Sequence, residues 1–202
     1  MLGKMTTKQA QLDQIASDII KNNVCPELAE QANHLVMGEG SVDSDIMFIG
    51  EAPGKKEDLT GLPFIGASGK FLDTLLAAAG MDRKDVFITS IVKYRPPNNR
   101  DPSVSEKAAF LPYLLRQIDI IQPKIIAPLG RHGMEFFLPG VRISEIHGEP
   151  QTIELDGRDI TIMPLYHPAA ALYNARLRQT LVDDFMKVPP LLNQIKTLPN
   201  QA

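Results

Sequence analysis

DIMFIGEAPGKKEDLTGLPFIGASG, residues 45–69, joins an apolar run, a glycine-punctuated turn and the start of a helical pattern. Ile46-Met47-Phe48-Ile49 reads as a buried strand. Gly50-Glu51-Ala52-Pro53-Gly54 is a turn at its carboxyl end. Gly61-Leu62-Pro63-Phe64-Ile65-Gly66-Ala67-Ser68-Gly69 then leads into a helix from Lys70 to Gly80. Open α/β sheets bind ligands outside the carboxyl ends of their strands, where glycines let a ligand approach the backbone. A new helix N-terminus there suits an anionic group. Glycine punctuation alone also fits an ordinary strand–loop–helix link, so the case depends on the rest of the chain.

Working outward, residues 7–23 carry a helical stripe of Leu12, Ile15, Ile19 and Ile20, ended by Cys25-Pro26. Gly38-Glu39-Gly40 reads as a turn. Phe71, Leu72, Leu75, Leu76 and Ala79 form a helical face that stops at Gly80. Val86–Val92 is a second strand, apolar enough to be buried on both faces. It runs into Lys93-Tyr94-Arg95-Pro96-Pro97-Asn98-Asn99-Arg100-Asp101-Pro102, a stiff extended loop with three cations. Ser103 or Ser105 caps the next helix, in which Pro112 predicts a kink or a late start. Lys124–Gly130 is a third strand, followed by a short helix near His132–Phe137. QTIEL and RDITIM, joined by Asp156-Gly157, form a hairpin. The second run ends in Pro164-Leu165-Tyr166-His167-Pro168. A short helix over Ala169–Tyr173 and another over Leu177–Leu192, broken at Pro189-Pro190, complete the pattern.

The alternation of strands and helices predicts an α/β fold, a mostly parallel sheet covered on both faces. The 202 residues suffice for a single domain over 1–202 with an N-terminal helical segment at 1–36. Hydrophobic content of 44% and charged content of 22% are ordinary for a globular protein. No run reaches membrane-spanning length, and MLGKMTTKQAQLDQ lacks the apolar core of a signal peptide, so a cytoplasmic location is the expectation. A net charge of −3 gives no global bias toward nucleic acid. The single cysteine, Cys25, excludes a disulfide framework and any four-cysteine metal site.

Three strand ends carry distinctive loops: GEAPG, KYRPPNNR and YHPAA. In a parallel sheet they share one edge. Glu51 and Asp58 are the nearest carboxylates. Phe64 offers a face for stacking, and His167 a donor for a developing oxyanion. Lys93, Arg95 and Arg100 suit phosphates, as do the backbone N–H groups of Gly66–Gly69. Each has a bland counterpart: a core phenylalanine, a solvated cationic loop, a structural histidine. His34, His132 and His147 have no such company and are expected to be structural or on the surface. Cys25 is expected to be a packing residue.

GEAPGxxED, GxPFIGxxG, KxRPPNNRDP and LYHPAA, in this order and spacing, resemble the uracil-DNA glycosylase superfamily, most of all its family-4 type. The resemblance spans about Gly38 to Leu192, and the combination of motifs is specific although each alone is not. It implies a three-layer α/β/α sandwich around a central four-stranded, mostly parallel sheet. It also implies an enzyme that flips a deaminated base, expected to be uracil, out of DNA and hydrolyses its N-glycosidic bond. By the same resemblance, Glu51 and Ala52 line the base pocket and face the attacking water, with Asp58 as the reserve acid. Phe64 stacks on the base, His167 bonds its O2, and Leu172 lies near the residue that fills the gap in the duplex. Ser68 and Gly69 fall in a phosphate-contacting turn. Lys70, Lys93, Arg95, Arg100, Arg176 and Arg178 make a local basic rim. The expected partner is DNA containing a deaminated base, and the expected assembly is a monomer.

Two departures stand out. Family-4 enzymes usually bind a 4Fe–4S cluster through four cysteines. Two of those positions match Tyr94 and Phe110 here, and Cys25 lies one residue out of step near the others, so neither cofactor nor metal is expected. Ser90 replaces the asparagine that reads the uracil edge, and a lost edge contact typically costs about 1–3 kcal/mol of discrimination. Another deaminated base, or a glycosylase-like protein that binds DNA without turnover, are therefore the alternatives. A phosphate-binding α/β enzyme acting on nucleosides or nucleotides ranks last, since it leaves the RPPNNR loop unexplained.

Overall fold

The computed structural model describes residues 7–197; residues 1–6 of the predicted N-terminal segment and residues 198–202 lie outside the described chain. Thr7 caps the first helix, α1 (Lys8–Lys21), by accepting the Ala10 N–H at 3.2 Å, and Leu12, Ile15 and Ile19 form its buried face. A short α2 (Pro26–Ala29) follows Cys25. Where the sequence predicts only a turn, at Gly38-Glu39-Gly40, the chain forms an edge strand, β1 (Glu39–Gly40), paired antiparallel with Ile88 and Phe87. Gly40 has a φ of 116°, and a Cβ there would run into the Val86 carbonyl, so only glycine lets this edge approach.

The buried strand β2 (Ile46–Gly50) leads through α3 (Lys55–Thr60) to α4 (Ala67–Ala78). Strand β3 (Phe87–Ser90) is followed by the proline loop and α5 (Val104–Ile121). Ser103 and Glu106 cap α5 reciprocally. The helix is continuous through Pro112, so of the expected kink or late start the late start does not occur. Pro112 and Ala108 are both exposed, so the carbonyl that loses its partner faces water.

Next come β4 (Ile125–Pro128), α6 (Gly130–Glu135) and α7 (Ile143–Ile146). The hairpin of β5 (Gln151–Leu155) and β6 (Arg158–Ile162) turns at Asp156 and Gly157, whose φ values of 50° and 74° match the twist of the strands. Three helices close the described chain: α8 (Ala170–Tyr173), α9 (Leu177–Met186) and α10 (Val188–Thr197). The expected break at Pro189-Pro190 falls earlier, at Lys187, and the two prolines occupy the first turn of α10. Prolines are tolerated there because first-turn N–H groups have no partner within the helix.

The sheet has six strands in the order β1-β3-β2-β4-β6-β5. The four inner strands are parallel, as expected, and antiparallel strands β1 and β5 extend both edges. The expected four-stranded sheet is thus the parallel centre of a larger one. Alternate residues of β2 enter opposite cores. Met47 and Ile49 join the side chains of α1 and α5, while Ile46 and Phe48 join those of α4 and α9. Phe48 stacks on Phe185 with ring centroids 5.6 Å apart. Among the described residues no helix is long and apolar enough to cross a membrane.

Candidate active site

The carboxyl ends of β2, β3, β4 and β6 lie on one edge of the sheet, and the segments leaving β2, β3 and β6 enclose a cavity of ≈ 310 Å³. Glu51, Ala52 and Phe64 reach it from the first two motifs, Ser68 from the start of α4, Ser90 from β3 and His167 from the loop after β6. These six predicted residues are brought together from four segments of sequence.

Phe64 sits on an unusual backbone. Its φ is 50°, and its side chain is 7% exposed. Its ring lies over the end of β2 because residue 50 is glycine; a Cβ there would stand 2.6 Å from the Phe64 ring. Gly69 has a related role, since a Cβ on it would run into the Phe64 carbonyl. Gly69 is buried beneath that peptide, so it also serves packing. The loop is held from the other side by Glu57, whose Oε1 accepts the N–H groups of Ile65 at 2.9 Å and Gly66 at 2.7 Å. Those N–H groups are therefore engaged and not free for a phosphate. Glu57, which lies in the GEAPGxxED motif but to which the sequence assigns no role, does what its neighbour Asp58 does not: it borders the cavity. The structure turns Asp58 away from the cavity: its carboxylate accepts from the Asn33 backbone at 2.8 Å and the Asn33 amide at 2.6 Å. It ties the N-terminal segment to α3 and does not face the site.

The His167 ring lies 5.6 Å from the Phe64 ring, centroid to centroid. Its Nδ1 accepts the Ala169 N–H at 3.1 Å, which leaves the ring proton on Nε2. Burial pulls its pKa down to about 4, so the imidazole is neutral at physiological pH. A neutral ring with a fixed N–H suits donation to an oxygen that gains negative charge.

Glu51 is half-buried, and its Oε1 accepts no hydrogen bond among the described residues. Burial and the nearby Asp101 carboxylate push its pKa up to about 7, against the opposing pull of Lys107 and Arg131. His132 Nε2 lies 3.5 Å from Glu51 Oε1 and 3.2 Å from Asp101 Oδ2. His132, expected to be structural or on the surface, thus stands beside the site, and so does Asp101, to which the sequence assigns no role. Their nearest polar atoms and that of Glu51 fall within 4.8 Å of one another, close enough to share a proton.

The cationic loop is only in part what its composition suggests. Lys93, expected at DNA phosphates, is wholly buried, at 0% exposure. Its ammonium donates to Thr89 Oγ1, Ser90 O and Gln117 Oε1, each at 2.6 Å. Ser90 is thereby anchored through its carbonyl while its side chain lines the cavity. Arg100 borders the cavity, but its guanidinium grips Glu106 at 2.6 and 2.8 Å and holds that carboxyl down at about 2. Arg95 donates to Asn99 Oδ1 at 2.7 Å. Leu172 and Tyr173 project from α8, 43% and 91% exposed, outside the cavity. Lys70 and Arg176 are exposed, and Arg178 lies over the Phe71 ring, 6.0 Å from its centroid.

The donor set for an iron–sulfur cluster does not fit. Such clusters need four thiolates, and the chain has one cysteine. Phe110 and Tyr94 are buried and pack edge to face with centroids 5.9 Å apart. Cys25 packs partly buried against the same core, and burial pushes its thiol pKa up.

Comparison of the chain with known proteins gives its family. The Uracil DNA glycosylase superfamily profile matches residues 37–188. The Type-4 uracil-DNA glycosylase of Saccharolobus solfataricus is 45% identical over 188 residues, covering 90% of this chain and 87% of the relative. That of Sulfurisphaera tokodaii is 44% identical over 186 residues, covering 89% and 84%. That of Archaeoglobus fulgidus is 40% identical over 185 residues, covering 89% and 92%. The chain belongs to the uracil-DNA glycosylase superfamily. Within it, the similarity is to type-4 uracil-DNA glycosylases, and the chain has a single cysteine.

Proposed function

We propose that the protein is a uracil-DNA glycosylase, a hydrolase that excises uracil from DNA. The observation that carries the reading is the neutral His167 Nε2–H, with its tautomer set by Ala169 N–H, in one cavity with Phe64 and Glu51. The uracil, turned out of the duplex, stacks on the Phe64 ring. The C1′–N1 bond breaks with its electron pair moving onto the base, and negative charge grows on O2. His167, neutral because burial holds its pKa down at about 4, donates to that oxygen and keeps its proton, since losing it would leave an imidazolate. Glu51, as the anion, orients the water that attacks the oxocarbenium-like C1′ and receives its proton. Ser90 contacts the edge of the base, Ala52 lines the pocket beside it, and Ser68 meets the backbone of the flipped nucleotide. Leu172, exposed on the helix just after His167, fills the space that the base leaves in the duplex. Lys70, Arg95 and Arg176 carry the phosphate contacts, so binding weakens steeply with salt.

Ser90 favours one second reading, release of another deaminated base. Base release from matched oligonucleotides carrying uracil, hypoxanthine or xanthine, with His167→Ala beside the wild type, tests both. Uracil release that the variant loses by roughly a hundredfold or more supports the assignment. Undiminished release by a clean His167→Ala preparation refutes the role of His167. Release of hypoxanthine or xanthine alone transfers the specificity to the second reading.

A further inference from the structure

Glu51 presents a buried oxygen, Oε1, with no donor at hydrogen-bond distance among the described residues. The ring nitrogen facing it, His132 Nε2, stands 3.5 Å away and 3.2 Å from Asp101 Oδ2. Arg131 Nε donates to that nitrogen at 3.0 Å, while its Nη2 donates to Asp101 Oδ2 at 3.2 Å. The fold brings this histidine here by close approach. A Cβ on Gly133 would stand 2.8 Å from the Ile49 carbonyl, so glycine lets α6 lie directly against the end of β2, two residues before Glu51. Two carboxylate oxygens near one nitrogen favour the tautomer with its proton on Nε2, which requires the exposed Arg131 to give up its bond to the ring and keep only its pairing with Asp101.

We propose that His132 is a positioning residue for Glu51: its Nε2–H, with the ring steadied by Asp101, keeps the carboxylate ionised and turned toward the attacking water. The inference rests on the reading of Glu51 as the group that orients that water. The separation of 3.5 Å is long for a hydrogen bond, and for His132 to act in this way it must shorten when DNA is bound. The charged groups facing the pair are Asp101 from the proline loop, Lys107 from α5 and Arg131 from α6. Asp101 opposes ionisation of Glu51, and Lys107 and Arg131 assist it. Burial, and then Arg131, lower the His132 pKa, so the ring acts through its N–H dipole and not through a charge. Removing that donor leaves the anion with less support, and the pH below which activity is lost should rise.

Single-turnover uracil release is measured against pH for wild type, His132→Leu, His132→Gln, Glu51→Gln and the double variant Glu51→Gln/His132→Leu. Leucine excludes water but donates nothing, and glutamine restores an amide N–H. His132→Leu should slow release by roughly tenfold at neutral pH and move the acid limb upward by about one unit, while His132→Gln recovers most of both. Adding His132→Leu to Glu51→Gln should cost little more. An unmoved acid limb, or an equal loss from His132→Leu in both backgrounds, overturns the positioning role while leaving Glu51 in place. Full activity of Glu51→Gln removes the water-orienting role and this inference together. If His132→Leu does not fold, His132→Asn, whose shorter amide falls short of Glu51, must reproduce the loss.

Discussion

Replacing Gly50 by alanine would test how the base pocket is shaped. The new Cβ would stand 2.6 and 2.7 Å from two carbons of the Phe64 ring. Carbon atoms in contact prefer about 3.5–4.0 Å, so the ring must retreat by roughly an ångström. It has little freedom to do so gently. Its backbone is held at a φ of 50°, Gly69 packs under its carbonyl, and Glu57 grips the next two peptides. The ring must therefore tilt out of the plane on which the base stacks. Stacking of a base on an aromatic side chain is worth about 1–3 kcal/mol, so Gly50→Ala should lower kcat/KM for uracil release by roughly tenfold to a hundredfold. Single-turnover kinetics on a uracil oligonucleotide, with thermal unfolding as a control, measure this. The decisive comparison is the Phe64→Ala background, where the ring is gone and Gly50→Ala should do almost nothing. An equal loss in both backgrounds would refute the reasoning and show that the glycine matters for something other than the ring.

Two further outcomes are expected. Burial pulls the Lys93 pKa from 10.5 to about 7, so between those values the unfolded chain holds a proton that the folded chain has released. Stability should therefore rise with pH across that window, and Lys93→Met should flatten the rise in urea titrations at several pH values; an unchanged slope would contradict it. Ser90→Asn should raise the preference for uracil over hypoxanthine by about 1–3 kcal/mol, read as the ratio of release rates, and an unchanged ratio would remove residue 90 from base discrimination.

Much of the fold is legible in the sequence because its inner strands are short apolar runs ended by glycine or proline. Gly50, Gly130 and Asp156-Gly157 mark turns where the structure has them. The edge strand β1 is harder. Glu39-Gly40 is too short for any period, so β1 exists only because Gly40 fits against Val86. The site divides the same way. Phe64, His167 and Glu51 sit in loops dense with glycine and proline, and all three reach the cavity. Lys93 misleads because a lysine beside two arginines looks solvated, whereas Thr89, Ser90 and Gln117 together furnish an interior acceptor set that no local pattern reveals. His132 is hidden because the loop after β4 lacks a motif of its own. The parallel topology supplies the missing signal: a fourth inner strand must end beside the other three, so its loop too must reach the site. For Glu57 the cue is an acid followed by a loop with backbone N–H groups to satisfy ahead of a helix.

Tyr94 and Phe110 close the core edge to face with aromatic rings alone. A chain so built needs no iron-loading step between synthesis and its finished form. Oxidants that strip metal from sulfur find nothing there to attack.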